Sequence, residues 1–403
     1  MRVTIRPAPL SGEIKAIPSK SQAHRLLICA ALAEKPTSIF CGSLSKDIEA
    51  TARCLRAMGA EIDYADGIFS VRPISGAVEM AELDCGESGS TLRFLLPVVC
   101  ALGKGARIKM HGRLPERPLS PLWEELERCG AQLYRPEKDI IEVRGLLREN
   151  RFSIAADVSS QYISGLLFAL PILGGGEIEL TGDIESAGYI EMTVRALRQF
   201  GADIAYENRI FSLGGTLVSP GEAAVEGDWS NAAFWIVADA LSGGGLGCAG
   251  LEADSPQGDR AVLEAVKAIS AGNAVVDAKN IPDLVPVLAV LASVSPGKTR
   301  FINAQRLRIK ESDRLATVRE MLSALGADIE ETEDGLLVAG KPRLRGGRAH
   351  ARGDHRIAMS AAVAAIVCEN ELSIENAESV EKSYPAFWHD YAALGGKVKV
   401  EEG

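Results

Sequence analysis

Two hydrophobic patterns alternate along this chain. In the first, a small polar cluster precedes a largely apolar run. Ser19-Lys20-Ser21 leads into Leu26–Ala33, Glu87-Ser88-Gly89-Ser90 into Leu92–Leu102, and Ser159-Ser160-Gln161 into Ile163–Ile172. The arrangement returns at Trp229-Ser230-Asn231 before Ala232–Leu241, at Pro282-Asp283 before Leu284–Ala292, and at Gly353-Asp354-His355-Arg356 before Ile357–Val367. A run that is apolar on every face predicts a buried helix. Ser, Asp and Asn at its start are the residues that cap helix N-termini. In the second pattern an amphipathic helix ends in glycine and an alternating strand begins. It reads LRAMGAEI at Leu55–Ile62, LERCGAQL at Leu126–Leu133, LRQFGADI at Leu197–Ile204 and LSALGADI at Leu322–Ile329. Weaker copies are AISAGNAV at Ala268–Val275 and YAALGGKV at Tyr391–Val398. Second strands follow at Gly67–Val71 and Arg209–Leu213.

These phrases recur at a fixed period. Their glycines stand at 59, 130, 201, 272, 326 and 395, at intervals of 71, 71, 71, 54 and 69. Ser88, Ser159 and Ser230 keep the same interval of 71, as do Asp283 and Asp354. Each unit is expected to run helix, strand, helix, glycine turn, strand, strand, which makes an α/β chain of six repeats. Solenoid repeats are shorter, at ~20–50 residues. Six units of this size suggest two domains of three, divided near Pro220–Gly227. The strand Arg2–Arg6 precedes the first unit and is free to join either half.

Composition narrows the function. The 403 residues carry 44 Lys+Arg against 54 Asp+Glu, a net charge of −10. That balance, without aromatic stacking platforms, speaks against a nucleic-acid binder. An anionic partner needs a local basic cluster. The apolar runs are about half as long as the ~20 residues of a membrane span. Arg25 with Leu26–Ala33 imitates a signal peptide but lacks its short basic leader, and reads as a buried helix. Eight cysteines without a C-x-x-C pair read as reduced core thiols of a cytosolic protein.

Candidate chemistry collects at the two sets of helix starts. Backbone N–H groups there attract phosphate and carboxylate. Ser19-Lys20-Ser21 has Arg25 one turn on, Gly89 allows close backbone approach, and Gly353-Asp354-His355-Arg356 adds a guanidinium. The loops entering the second helices add Arg113–Pro118, Arg306–Arg314 and Glu381–Pro385. Lys310 and Arg314 are four apart and alike in charge, an unfavourable helical pair unless an anion lies between them. Asp283 and Glu311 are the acids in this company. Among so many cations each is expected to stay ionised, able to act as a base or hold a hydroxyl. The segment Pro296-Gly297-Lys298-Thr299 lacks the first glycine of a P-loop and reads as a turn before a strand at Arg300–Ile302. The histidines show no metal-ligand spacing.

Six segments resemble one known family in order along the chain: Pro18–Ser21 with Arg25, Gly86–Arg93, Ser159–Gln161, Ile281–Asp283, Arg308–Leu315 and Gly353–Met359. The family is that of the 5-enolpyruvylshikimate-3-phosphate synthases, or 3-phosphoshikimate 1-carboxyvinyltransferases. The resemblance implies a two-domain inside-out α/β barrel with three βαβαββ repeats per domain. Residues 1–17 and 227–403 would form one discontinuous domain and residues 18–226 the other, with the active site in the cleft between them. It implies transfer of the enolpyruvyl group of phosphoenolpyruvate to the 5-hydroxyl of shikimate-3-phosphate, without metal or organic cofactor, by a cytoplasmic monomer. By the same resemblance Lys20, Ser21, Arg25, Ser159, Ser160, Gln161, Ser186, Asp283, Arg306 and Lys310 would hold shikimate-3-phosphate. Lys20, Gly89, Arg117, Gln161, Arg314, Arg356 and Lys382 would hold phosphoenolpyruvate. Asp283, Glu311 and Lys20 would carry the catalysis, with Tyr189 and His355 lining the site. The family is the glyphosate target, and a glycine at 89 leaves room for that inhibitor. Glu87, Phe94 and Arg306 depart from residues common in the family. The sister enolpyruvyl transferase acting on UDP-N-acetylglucosamine uses a loop cysteine, which Arg113–Pro118 lacks. A non-catalytic anion-binding repeat protein is opposed by the presence together of Lys20, Arg117, Asp283, Glu311 and Arg356.

Overall fold

A computed structural model describes residues 1–401. The chain forms two compact units, Pro18–Glu226 and Met1–Ile17 with Gly227–Gly403. Each unit buries its own hydrophobic core.

In Pro18–Glu226 three helices are buried nearly all round: α1 (Lys20–Leu32), α3 (Gly89–Leu102) and α5 (Ser160–Ala169). They start earlier than the apolar runs alone suggest, because the polar clusters form their first turns. Ser19, Ser88 and Ser159 are the caps, each accepting a backbone N–H of the first turn. The second helix of each repeat is α2 (Lys46–Ala57), α4 (Leu122–Arg128) or α6 (Ala187–Gln199), each keeping a polar face outward. Three four-stranded sheets share one topology. Ala81–Asp84 runs parallel to Ala106–Lys109, which pairs with Ile140–Gly145 and through it with Ala131–Glu137. Arg151–Ala155 leads the third sheet in the same order. The first sheet takes its leading strand from the far end of the unit, where Glu222–Ala224 runs parallel to Thr37–Phe40.

The other unit repeats the plan with α7 (Trp229–Ser242), α9 (Val285–Ala292) and α11 (His355–Ala364) buried, and α8 (Val262–Ala271), α10 (Arg314–Ala324) and α12 (Phe387–Ala393) as partners. Arg2–Arg6 lies between Leu372–Glu375 and Lys397–Glu401, antiparallel to both, so the first strand completes the last sheet.

The fourth repeat differs from the expected unit. Its sheet has two strands, Gly12–Lys15 parallel to Leu246–Ala249, where the other five sheets have four. After Gly272 the chain enters Val275–Asp277, which leads the fifth sheet beside Lys298–Ile302. The hairpin that follows the other glycines is missing, which is why the interval from Gly272 to Gly326 is 54 rather than 71. Among the described residues no helix is long and apolar enough to cross a membrane.

Candidate active site

In Pro18–Glu226 side chains link the first turns of the three buried helices. Gln161 at the start of α5 donates Nε2–H to Ser90 Oγ on α3 at 3.0 Å and accepts from Arg93 Nη1 at 3.2 Å. His24 Nδ1 lies 2.7 Å from Thr51 Oγ1, which is 2.6 Å from Thr91 Oγ1, so α1, α2 and α3 share one buried chain ending on the Ser88 cap. Burial, then the nearby Lys20 and Arg25 charges, push His24 well below the usual imidazole range and keep it neutral. Lys20 Nζ sits 2.8 Å from Asp47 Oδ2, with both side chains mostly buried.

Arg25 is 2 % exposed and spans from α1 to α6. It donates to Thr193 Oγ1, the Ser21 carbonyl and the Tyr189 carbonyl at 2.6–2.8 Å. Its guanidinium lies 5.0 Å from the centroid of the Phe94 ring. Phe94, one of the departures from the family pattern, is therefore the surface on which this arginine rests. Burial lowers the Arg25 pKa to about 10, which leaves it charged at neutral pH. Ser186 precedes α6 with φ 55°, a left-handed conformation that costs a residue with a side chain roughly 1–3 kcal/mol and is concentrated at functional sites.

Gly89 was expected to let a ligand approach its backbone. A Cβ there would fall 2.6 Å from Arg93 Nη1 and 2.7 Å from Arg117 Nη1, so the missing side chain is what lets two guanidinium groups lie beside that backbone. Arg93 is 3 % exposed, and its Nη2 donates to the Pro118 carbonyl at 3.1 Å.

The second cluster lies in the other unit, around Arg314. This side chain, 1 % exposed, reaches three carboxylates. Nη1 is 2.6 Å from Asp283 Oδ1, Nη2 is 2.7 Å from Glu311 Oε2, and Nε is 2.7 Å from Asp354 Oδ2. Asp283 Oδ1 also has Lys310 Nζ at 3.7 Å, and Oδ2 has Arg356 Nη2 at 3.3 Å. An anion does lie between Lys310 and Arg314, and it is Asp283. The two cations are not a helical pair, because Lys310 ends the 3-10 turn Gln305–Ile309 and Arg314 opens α10. Burial favours the neutral acid, but Arg356, Lys310 and Arg314 outweigh it and hold Asp283 well below the ordinary carboxylate range. Burial pulls Lys310 down to about 8, with Arg314 and Arg306 helping and Asp283 and Glu311 opposing.

Capping is not the role of Asp283. It stands in the 3-10 turn Pro282–Leu284, ahead of α9, and makes no cap. Its repeat partner Asp354 does cap α11, accepting the Arg356 N–H at 3.0 Å. Arg356 donates to Ser230 Oγ at 2.7 Å, which ties the first turn of α11 to that of α7. His355 is buried beside it. Lys382 Nζ donates to the Gly353 carbonyl at 2.5 Å. Arg308 leaves the basic run to pair with Glu331 at 2.5 Å and with Asp313, so it reinforces the fold rather than the cluster.

The family model for EPSP synthase (3-phosphoshikimate 1-carboxyvinyltransferase) matches residues 5–391. The chain belongs to the EPSP synthase family. It is 40% identical over 419 residues to the 3-phosphoshikimate 1-carboxyvinyltransferase of Clostridium kluyveri, covering 98% of each chain. It is 40% identical over 422 residues to that of Clostridium acetobutylicum, again with 98% of each covered. A solved EPSP synthase from Acinetobacter baumannii has the same fold, with a TM-score of 0.80 at 24% identity over 100% of both chains.

The residues singled out from the EPSP synthase resemblance divide between the two units. Lys20, Ser21, Arg25, Gly89, Arg117, Ser159, Ser160, Gln161, Ser186 and Tyr189 lie in Pro18–Glu226, while Asp283, Arg306, Lys310, Glu311, Arg314, His355, Arg356 and Lys382 lie in the other. Asp47, Thr193, Ser230 and Asp354 also hold these clusters together. In the sequence Ser230 and Asp354 read only as helix starts. Nothing in the sequence near Asp47 or Thr193 points to Lys20 or Arg25.

Proposed function

We propose that the two clusters act together in the 3-phosphoshikimate 1-carboxyvinyltransferase reaction of the family, each engaging the same pair of substrates. Phosphoenolpyruvate takes a proton at C3, and the 5-hydroxyl oxygen of shikimate-3-phosphate bonds to C2 as its proton passes to the protein. The C2–O bond to phosphate then breaks, and C3 returns a proton to restore the enol ether. Shikimate-3-phosphate is held by Lys20, Ser21, Arg25, Ser159, Ser160, Gln161 and Ser186 from one unit, and by Lys310 and Arg306 from the other. Phosphoenolpyruvate is held by Lys20, Arg117, Gln161 and the Gly89 backbone, and by Arg314, Arg356 and Lys382. Arg is suited to this because its fork matches carboxylate and phosphate oxygens in pairs. Glu311 and Lys20 exchange the C3 proton, Asp283 holds the 5-hydroxyl and takes its proton, and Tyr189 and His355 line the site.

The observation that carries this reading is the Asp283 carboxylate, bracketed by Lys310, Arg314 and Arg356 from three different elements. With all three cations on it Asp283 is a weak base. Substrate phosphate and carboxylate compete for those cations. As the cations turn to the substrates, the acid loses what holds its pKa down and gains affinity for the hydroxyl proton. Asp283→Asn tests this. Phosphate release is expected to fall by roughly 10²–10⁴, the range for loss of an acid–base group. Binding of shikimate-3-phosphate, measured by calorimetry, changes far less. Equal losses in both would leave Asp283 a binding role alone.

The reading also takes the chain to act as a cytoplasmic monomer. Each unit buries its own core, and the eight cysteines are all free thiols, as a reducing compartment allows.

A further inference from the structure

The buried chain from His24 to Ser88 has had no part in the reaction so far. Its four members, His24, Thr51, Thr91 and Ser88, are all fully buried. Each hydroxyl has one proton to give, so the direction of the chain can be counted. Thr91 Oγ1 donates to Ser88 Oγ at 2.8 Å, which spends its proton. Across the 2.6 Å between Thr51 and Thr91, Thr51 is then the donor. With that proton spent, Thr51 accepts across the remaining 2.7 Å, and His24 Nδ1 carries the hydrogen. The other ring nitrogen agrees. Nε2 is buried with no hydrogen-bond partner among the described residues. A bare lone pair is the cheaper atom to leave there, since orphaned buried N–H groups are the rarer kind. The ring is held edge-on to Phe94, with centroids 6.4 Å apart and planes at 83°.

The far end of the chain is the start of α3. Ser88 has φ −76° and ψ 103°, and its Oγ accepts the Thr91 N–H at 3.2 Å as well as the Thr91 hydroxyl. Gly89 and Ser90 stand ahead of Thr91 in the first turn, where a helix has no carbonyl to offer their N–H groups. The aim of the Gly89 N–H is set by the Ser88–Gly89 peptide. The Ser88 side chain, anchored twice on Thr91, holds that peptide.

We propose that His24 is a positioning residue for the Gly89 backbone, acting through Thr51 and Thr91 on Ser88. This rests on the reading of that backbone as a phosphoenolpyruvate contact. With a hydrogen on His24 Nδ1, Thr51 and Thr91 can donate only towards Ser88, which receives both bonds. Without it the two hydroxyls are free to turn back, and Ser88 keeps the Thr91 N–H alone. The peptide ahead of α3 then has more than one arrangement, and a ligand that meets it must restore the order at a cost in affinity.

The test has a structural arm and a kinetic arm. In protein labelled with 15N-histidine, long-range 1H–15N correlation at neutral pH is expected to show His24 with Nδ1 protonated and Nε2 bare. The His24→Asn variant assigns the signal by its loss. The opposite tautomer, or a doubly protonated ring, would overturn the proposal. His24→Leu fills the space without a donor. Its KM for phosphoenolpyruvate is expected to rise roughly five- to tenfold, the worth of one buried hydrogen bond, with the KM for shikimate-3-phosphate within about twofold of wild type. His24→Asn places an amide N–H where Nδ1 stands and should recover most of the loss. His24→Gln carries its amide out at the reach of Nε2 and should not. Equal losses in the three variants, or a rise shared by both substrates, would make His24 a packing residue and overturn the proposal. Thr51→Val cuts the chain one step further along with little change of volume, and carries the test if the leucine variant does not fold. An unchanged KM for phosphoenolpyruvate in Thr51→Val would also overturn it. Calorimetry on the wild type separates the two levels. If phosphoenolpyruvate does not bind beside shikimate-3-phosphate, the reading of the site fails and the positioning role with it. If it binds and the variants show no selective loss, only the role of His24 fails.

Discussion

Asp283 and Asp354 stand 71 residues apart at equivalent places in two repeats, and their carboxylates meet on one guanidinium, that of Arg314. One of them caps its helix and the other does not. The repeat period brought the same residue type to two helix starts, and the structure uses one for the backbone and the other for the cluster. Arg314 is what joins them.

Replacing Arg314 by Ala leaves Asp283, Glu311 and Asp354 without their shared cation. Breaking a buried ion pair from one side costs ~3–5 kcal/mol. In a unit of this size that lowers the melting temperature by about 10 °C. The sign with pH follows from Asp283, whose folded pKa is depressed. Its contribution is present above the unfolded value near 3.8 and is lost as pH falls towards the folded one. The deficit of Arg314→Ala is therefore full at neutral pH and shrinks below about pH 4. Thermal melts of both proteins at pH 7 and pH 3.5 check this. A deficit that is constant with pH would mean that the carboxylates do not depend on Arg314.

Gly89→Ala places a methyl group against Arg93 and Arg117 at 2.6–2.7 Å. Both contacts are with the ends of flexible side chains, so the fold is kept and the guanidinium groups move. The KM for phosphoenolpyruvate rises by roughly tenfold, since small misplacements of positioning groups are costly. Binding of shikimate-3-phosphate stays close to wild type. Steady-state kinetics in each substrate, with circular dichroism to confirm the fold, decide it. An unchanged KM would mean that neither arginine meets this substrate.

Lys310 loses its proton near pH 8. The contact with shikimate-3-phosphate proposed for it requires the cation, so kcat/KM for that substrate should fall as pH rises through about 8. Lys310→Arg keeps its charge throughout and should lose this alkaline limb, even if its absolute rate is lower. A limb unchanged in the variant would assign the titration to another group.

The repeat was legible because its glycine turns and helix caps impose residue types at fixed backbone positions. The interval after Gly272 is short, but nothing in the sequence says which element is missing, and Val275 looks like the start of the usual hairpin although it leads the fifth sheet instead. The identity of the leading strand was not legible. Glu222–Ala224 joins Thr37–Phe40 across most of the unit, and strand pairing at that range leaves no local mark. The two charge clusters were legible as residue types but not as partnerships. In the sequence Lys310 and Arg314 read as a pair needing an anion, and only the fold supplies Asp283.

In the proposed function both clusters serve one two-substrate transfer. Release of inorganic phosphate from the purified chain tests it most directly, with shikimate-3-phosphate and phosphoenolpyruvate supplied singly and together. Phosphate is expected only when both are present, in step with the enolpyruvyl product. No release with that pair, together with turnover when UDP-N-acetylglucosamine replaces shikimate-3-phosphate, would contradict the account.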